Sequence, residues 1–152
     1  MTINLYNSDL ALATRITVVL SERPHLQRSE RGLAAIDFLT TNAAQFDLYP
    51  TNLHGDSIYV ATEFAARTQH IHRGIRYAVT HGLIIPTSGE NGIRFSISHT
   101  GQAFLNRLSS QYLSDYRRAL NPVLAYVDSR TERDVIRRIE QQGANRIKED
   151  RT

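Results

Sequence analysis

Residues 56–109 read DSIYVATEFAARTQHIHRGIRYAVTHGLIIPTSGENGIRFSISHTGQAFLNRLS, and the order of elements in this stretch decides the fold. The stretch predicts a short helix that starts at Asp56 or Ser57 and ends near Ala65. A tight connection is then expected at Arg67-Thr68, followed by a second helix from Gln69 to Gly82. The apolar residues of this second helix form one face, and they are Ile71, Ile75, Ala78 and Val79. Gly82 is the expected helix terminator.

A β-hairpin and a capped helix follow in the same stretch. Leu83 to Ile85 predicts a short buried strand, and residues 88–92 (SGENG) predict a turn. Apolar residues then alternate with polar ones over residues 93–97, as in a half-buried strand. Ser98 is the expected N-cap of another helix, in which the segment Gln102 to Leu108 buries Phe104, Leu105 and Leu108. The order helix, helix, hairpin, helix predicts a winged helix-turn-helix core over about residues 56–109.

Two helices are expected before this core. The first runs from Asp9 to Glu22, is capped by Asn7 or Ser8, and stops before Pro24. The second runs from Ser29 to about Gln45. The expected fold is therefore mainly α with a small β-hairpin, in which the winged core is flanked by N- and C-terminal helices.

Helices are also expected after the core. Asn121-Pro122 predicts a cap followed by a proline at the first helical position. Residues Ser129 to Glu132 (SRTE) predict a capping box ahead of a last helix that ends at Gly143. We therefore expect one domain over residues 1–143 and a flexible tail over 144–152.

Composition excludes several classes of protein. The 152 residues are 41% hydrophobic and 22% charged, which suits one globular domain. The chain contains no cysteine, so disulfides, thiolate nucleophiles and thiolate metal sites are excluded. No apolar run approaches the roughly 20 residues that a membrane span needs. We expect a soluble, cytoplasmic protein with no membrane partner.

The basic residues are nearly all arginine. The net charge is +3, and Lys148 is the single lysine among 18 lysine and arginine residues. The guanidinium group of arginine is planar and has five hydrogen-bond donors, so it binds phosphates, carboxylates and the faces of aromatic rings. Arginine enrichment therefore fits a nucleic acid or an acidic protein partner, and it equally fits a GC-rich genome that favours arginine codons.

The sequence predicts no catalytic residue, no metal site and no cofactor. His70 and His72 invite a metal interpretation, but residues two apart on a helix point about 200° apart. Serine, histidine and aspartate are present in the chain, but none lies in a nucleophile elbow. Gly89 and Gly92 belong to a hairpin turn, so they do not form a phosphate-binding loop.

DNA binding is the more specific hypothesis from the residues alone. The polar face of the second core helix carries Gln69, Arg73, Arg76 and Thr80. Arginine and glutamine are side chains that contact base edges in the major groove. Arg94 on the second hairpin strand is placed to contact a backbone phosphate. The alternative is an ordinary polar helix face, and Glu90 in the hairpin turn would oppose a phosphate.

The flanking helices offer another surface. Arginines surround a narrow apolar face in the last helix: Arg130, Arg133, Arg137 and Arg138 around Val135, Ile136 and Ile139. This pattern fits a helix that docks on a partner, and it equally fits a helix that packs on its own domain. Added helices of this kind also form homodimers in many winged-helix proteins.

Several short segments of the chain carry a resemblance to one protein family. The residues that carry it are Asp37-Phe38-Leu39, Leu53-His54, Glu63-Phe64-Ala65-Ala66-Arg67, Gly74-Ile75-Arg76-Tyr77, His81-Gly82-Leu83-Ile84, Phe95-Ser96-Ile97-Ser98, Gly101 and Ala103-Phe104-Leu105. The chain resembles the middle component of bacterial ABC three-component systems over roughly Asp9 to Val127. The helix from Ser129 to Gln142 lies outside the resemblance.

The resemblance implies a non-catalytic adaptor. It implies partners of two kinds, an SMC- or RecN-like ATPase and an effector that is often a nuclease, in Lamassu-type defence against phages or plasmids. The rival hypothesis is a free-standing, dimeric winged-helix transcription regulator that binds double-stranded DNA. A large coiled-coil ATPase encoded by a neighbouring gene would favour the adaptor.

Overall fold

The computed structural model describes the backbone of residues 6–55 and 60–150, and the side chains of these residues up to Gln142. The described residues form six α-helices, one 3-10 helix and three short strands. In chain order these are α1 Asp9–Glu22, β1 Arg28–Ser29, α2 Glu30–Thr41, the 3-10 helix Ala43–Phe46, α3 Val60–Thr80, β2 Ile84–Gly89, β3 Gly92–Ile97, α4 His99–Asn106, α5 Gln111–Asp128 and α6 Glu132–Asp150. The prediction of a mainly helical fold with a β-hairpin is confirmed.

Serine side chains cap the N-termini of α1, α2 and α4. Ser8 Oγ accepts a hydrogen bond from Ala11 N at 3.1 Å, and Ser98 Oγ accepts one from Gly101 N at 2.9 Å. Both caps agree with the sequence, and α1 has the predicted bounds. Ser29 caps α2 in the same way. Each hydroxyl satisfies a backbone N–H that the first helical turn leaves without a partner.

The predicted connection at Arg67-Thr68 is wrong. These two residues lie inside α3, which is continuous from Val60 to Thr80. Thr68 Oγ1 donates to Ala65 O at 2.6 Å, so the hydroxyl bonds within the helix instead of capping a new one. Arg67 is buried because its guanidinium pairs with Asp37 on α2. The predicted helix start at Asp56 or Ser57 lies outside the described residues.

The end of α3 and the hairpin follow the sequence closely. Gly82 has a φ of 71°, a left-handed conformation that favours glycine, and Leu83 N donates back to Ala78 O at 2.8 Å. Strands β2 and β3 pair antiparallel from Ile84↔Ile97 to Gly89↔Gly92. The hairpin is longer than predicted, because β2 continues to Gly89.

The sheet contains a third strand that the sequence did not indicate. Strand β1 is two residues long and pairs antiparallel with β3, with Arg28 opposite Phe95 and Ser29 opposite Arg94. The sheet order is β1-β3-β2. The predicted core of residues 56–109 therefore omits one strand of its own sheet.

Two predictions about the C-terminal helices are wrong. Asn121-Pro122 does not start a helix, because Pro122 lies inside α5 and Ser110 Oγ caps that helix by accepting from Leu113 N. Proline inside a helix costs about 3 kcal/mol, and the burial of Leu120, Val123 and Leu124 around it offsets this cost.

The second wrong prediction concerns the start and the end of α6. The cap of this helix is Thr131, whose Oγ1 accepts from Asp134 N at 3.1 Å, and not Ser129. The helix does not end at Gly143 but continues to Asp150. A glycine inside a helix costs only about 1 kcal/mol, so it does not stop a helix by itself.

The core is built by α1, α2 and α3, with α5 and α6 covering it. Helices α1 and α3 approach closely, since a Cβ on Gly74 would lie 2.7 Å from Leu12 Cβ. The apolar face of α6 is also part of the core: Val135, Ile136 and Ile139 are at most 6% exposed. Of the two interpretations of this helix, packing on its own domain is therefore the one that the structure shows for its apolar face.

Candidate functional site

The polar face of α3 forms the predicted stripe on the surface. Gln69, Arg73, Arg76 and Thr80 are all exposed. The last three line one open cavity of about 400 Å³, together with Asp9, Tyr77 and His81. We call these four exposed residues the α3 stripe.

The two arginines of the α3 stripe differ in how strongly they are held. Arg73 donates from Nη2 to Asn7 O at 2.8 Å, and its Nε lies 3.3 Å from Asp9 Oδ1. Arg76 makes no ion pair or side-chain hydrogen bond within the described part of the chain. Arg76 is therefore the arginine whose guanidinium can meet a partner without giving up an existing contact.

Arg94 does not join the α3 stripe. It lines a different cleft of about 280 Å³, between the β1-β3 edge, the start of α2 and the turn from α5 to α6. The two cavities share no lining residue. We call the second one the arginine cleft, and its charged lining residues are Arg28, Arg94, Asp128, Arg130 and Glu132.

The charges of the arginine cleft are only partly paired. Asp128 accepts from Arg28 Nη2 at 3.1 Å and from Arg23 Nε at 3.0 Å. Glu132 accepts from Ser29 Oγ at 2.7 Å. The Arg130 guanidinium lies 3.9 Å from the centre of the Tyr126 ring. Arg94 has neither an ion pair nor a side-chain hydrogen bond among the residues described.

A third and larger groove lies between α2, α3 and α6. It measures about 570 Å³, and Ala34, Ala61, Phe64 and Ala65 give it an apolar floor. Its rim is of mixed charge, because Arg31 and Glu140 face each other at 3.7 Å.

A buried charged network, which the sequence did not predict, connects the four helices α1, α2, α3 and α5. The fully buried Asp37 on α2 accepts from Arg15 Nε at 2.8 Å, from Arg67 Nη1 at 2.8 Å and from Tyr116 Oη at 2.7 Å. Arg15 also donates from Nη2 to Asp37 Oδ2 at 3.1 Å. The carboxylate of Asp37 therefore brings together Arg15, Arg67 and Tyr116. These residues are 22, 30 and 79 positions away from it in the sequence.

The network keeps Asp37 ionised. Burial, the largest single effect, would raise the pKa of this carboxyl, but Arg15, Arg67 and the hydrogen bonds together hold the pKa well below its usual range. Burial and the neighbouring Asp37 carboxylate raise the pKa of the Tyr116 hydroxyl. The network is a structural core of paired charges, and it exposes no reactive group.

One signal in the sequence points to this network. Asp37 interrupts the apolar run LAAI-D-FL over residues 33–39, and Arg15 lies among the apolar residues of α1. A charge within an apolar helix face indicates a buried pair. The partner could not be inferred, because nothing local to Asp37 identifies residues on α1, α3 and α5.

His54 lies beside the network in an aromatic stack. Its ring is 3.9 Å from the Tyr6 ring and 5.8 Å from the Tyr112 ring, measured between centroids. Burial, and then the positive charge of Arg15, lower the pKa of His54 to about 3. Burial raises the pKa of Tyr112 to about 12. His54 is therefore neutral at physiological pH.

The histidines do not gather into a metal site in the described residues. His54 and His70 line one cavity of about 250 Å³, whereas the His72 Nδ1 contacts Glu30 at 3.0 Å. Within the described residues, no group of three or more histidine, aspartate or glutamate side chains could hold a metal ion.

Comparison with known families decides the family of this chain. Residues 5–149 match the family model described as ABC-three component (ABC-3C) system Middle Component 2. The chain belongs to this family. A search of curated proteins and a search of solved structures found no match.

Membership of Middle Component 2 makes the chain a component of a multi-subunit system. The matched residues extend beyond the resemblance noted in the sequence and include most of α6. They therefore cover both the α3 stripe and the arginine cleft. None of the helices in the described residues is long and apolar enough to cross a bilayer.

Proposed function

We propose that this Middle Component 2 chain is a non-catalytic adaptor that bridges an SMC- or RecN-like ATPase and an effector, such as a nuclease, in Lamassu-type bacterial defence against phages or plasmids. The observation that carries the proposal is the family match over residues 5–149. The described surfaces support it, because they offer charged and apolar docking surfaces and their histidines gather into no metal cluster.

The core of this adaptor is, in our proposal, a winged-helix unit built from α1 to α3 and the three strands. The order α1, β1, α2, α3, β2, β3 and the pairing of the first strand with the last support this assignment. In it, α3 occupies the place of the recognition helix and the β2-β3 hairpin that of the wing. The described residues 42–55 alone already separate α2 from α3 by more than the turn of 3–4 residues in a helix-turn-helix.

A dimeric DNA-binding regulator of transcription is the second candidate. The observation that favours it is the exposed position of the α3 stripe on the helix that would enter the major groove. Arg94 lines a different cavity from the α3 stripe, so it does not add to this observation.

Co-expression with the other components of the system tests the adaptor. We expect the full-length chain to co-purify with the ATPase and the effector at a fixed stoichiometry. Failure to co-purify with either component, combined with specific binding to its own promoter, would support the regulator instead. Truncation before α6 is unsuitable for this test, because it removes the core residues Val135, Ile136 and Ile139.

The proposal also expects no intrinsic catalysis. Purified protein incubated with plasmid DNA, ATP and magnesium should leave both substrates unchanged. Turnover that survives further purification and disappears on a point substitution would contradict a non-catalytic adaptor.

A further inference from the structure

The arginine cleft carries more positive charge than its own acids balance. Three arginines and two acidic residues line it, and Asp128 is shared with Arg23 outside the lining. Glu132 hydrogen-bonds the hydroxyl of Ser29 instead of an arginine. Arg94 and Arg130 therefore have no carboxylate partner within the described residues, and the cleft suits an anionic group.

Arg94 is the arginine of the cleft that a ligand can reach. Its side chain is exposed, and it makes no ion pair or side-chain hydrogen bond in the described residues. Arg28 is only 11% exposed, its Nη2 already pairs with Asp128, and its Nε is buried out of reach of the cleft. A carboxylate, which offers several acceptor positions, can pair with the guanidinium of Arg94.

The acidic residues of the lining favour a peptide over a nucleic acid. Asp128 and Glu132 would repel a long polyanion such as a phosphate backbone. Of the apolar lining residues, Ala35, Ile36 and Val135 are at most 2% exposed, so only Val127 offers apolar surface to a ligand. A single acidic side chain on a peptide can meet Arg94 without bringing a run of further negative charges to the two acids.

We propose that the arginine cleft binds an acidic segment of another component of the same three-component system, with a carboxylate held by Arg94 and Arg130. This inference rests on the proposed adaptor function. It assigns partner recognition to a surface separate from the α3 stripe.

The test measures the affinity of the full-length chain for each component with which it co-purifies. Arg94→Gln removes the charge of an exposed side chain that makes no ion pair in the described residues, so the fold should be kept. Arg118→Gln on α5 is the matched control, because Arg118 is also exposed, makes no ion pair in the described residues and lines neither the arginine cleft nor the cavity of the α3 stripe. We expect Arg94→Gln to weaken the binding of one component by about 10- to 100-fold, as for the loss of one charge-assisted hydrogen bond. Arg118→Gln should leave this affinity unchanged.

Three outcomes would contradict the proposals, and they are distinguishable. If the wild-type chain binds no component, the adaptor function itself fails. If the wild-type chain binds and Arg94→Gln binds equally well, only the inference about the arginine cleft fails. If Arg94→Gln keeps its binding to the components but loses affinity for a labelled DNA duplex, the cleft holds a nucleic-acid phosphate, and the inference is again overturned.

Discussion

At the scale of single residues, the most consequential side chain is Asp37. Its carboxylate is completely buried, and it accepts hydrogen bonds from two guanidinium groups and a tyrosine hydroxyl. A buried pair of this kind adds little stability over a well-packed apolar core. Removing one partner is costly, however, because a charge is then left buried and uncompensated.

Asp37→Asn should therefore lower the free energy of unfolding by about 3–5 kcal/mol. The substitution keeps the shape of the side chain but leaves the fully buried Arg15 without its counter-charge. The matched control is Glu140→Gln, which removes an exposed acid that lies 3.7 Å from Arg31. The control should cost less than about 1 kcal/mol. Equal effects of the two substitutions in urea denaturation would show that the network is not the structural core we describe.

His54 should make the protein less stable in mild acid. Its pKa is about 3 in the folded chain and about 6.5 when unfolded, so the unfolded state binds the extra proton between these values. Stability from this group is present above pH 6.5 and is lost as the pH falls toward 3. Asp37 acts in a lower range, because its lowered pKa costs stability only below the unfolded value of about 4.

His54→Phe separates the two effects. Phenylalanine can keep the stack with Tyr6 and Tyr112 but cannot titrate, so its free energy of unfolding should change less between pH 7 and pH 5 than that of the wild-type chain. Denaturation curves at several pH values measure this difference. A variant that keeps the full slope of the wild type would show that another group causes it.

At the scale of elements, local patterns predicted the starts of α1, α2 and α4 and the hairpin. Ser8 and Ser98 were identifiable as caps, and Gly82 as a terminator, because each acts on backbone groups within a few residues. The predicted break at Arg67-Thr68 failed because Arg67 is held by a partner 30 residues away. Strand β1 was missed because two residues carry no periodicity.

The candidate surfaces were predictable only in part, because local patterns do not show which distant residues pack together. The spacing of the α3 stripe follows from the helix alone, and the structure places all four side chains on the surface. The arginine cleft brings together residues from β1, β3, α2 and the α5-α6 turn. Such a site depends on tertiary packing, so the sequence did not indicate that Arg94 lies beside Arg28 and Arg130.

The contact between α1 and α3 requires a glycine at position 74. A Cβ there would lie 2.7 Å from Leu12 Cβ and 3.1 Å from the Leu12 backbone carbon, and backbone cannot rotate away. Gly74→Ala should therefore destabilise the protein by about 1–2 kcal/mol, since overpacking outweighs the better helix propensity of alanine. Thermal or urea unfolding gives the value.

Gly89→Ala provides the control for this prediction. Its added Cβ would come no closer than 3.8 Å to Gly92 O, an ordinary contact. We expect a change within about 0.5 kcal/mol, as for surface positions without special constraints. If Gly74→Ala is as well tolerated as Gly89→Ala, α1 and α3 do not pack as closely as described.

At the scale of the whole molecule, the arginines are divided between two surfaces. The α3 stripe and the arginine cleft line cavities that share no residue, and in the proposed adaptor each surface contacts a different partner. An adaptor needs two such surfaces, whereas a regulator needs one continuous face toward DNA. The α3 stripe of an adaptor can contact DNA, provided that the arginine cleft stays free to bind a protein component.

Any binding to double-stranded DNA should therefore depend on Arg73 and Arg76 and not on Arg94. Loss of an arginine that contacts a base should cost about 1–3 kcal/mol of binding free energy, whereas loss of a phosphate contact should reduce the salt slope by about one. Arg76→Ala should have the larger effect, because Arg73 must first give up its contacts with Asn7 and Asp9. Gel shifts at two salt concentrations, with Arg133→Ala plus Arg137→Ala on α6 as the control, measure both quantities. Unchanged affinity in a folded Arg73→Ala, Arg76→Ala double variant would remove the α3 stripe from DNA contact, and the chain would then act through protein partners alone.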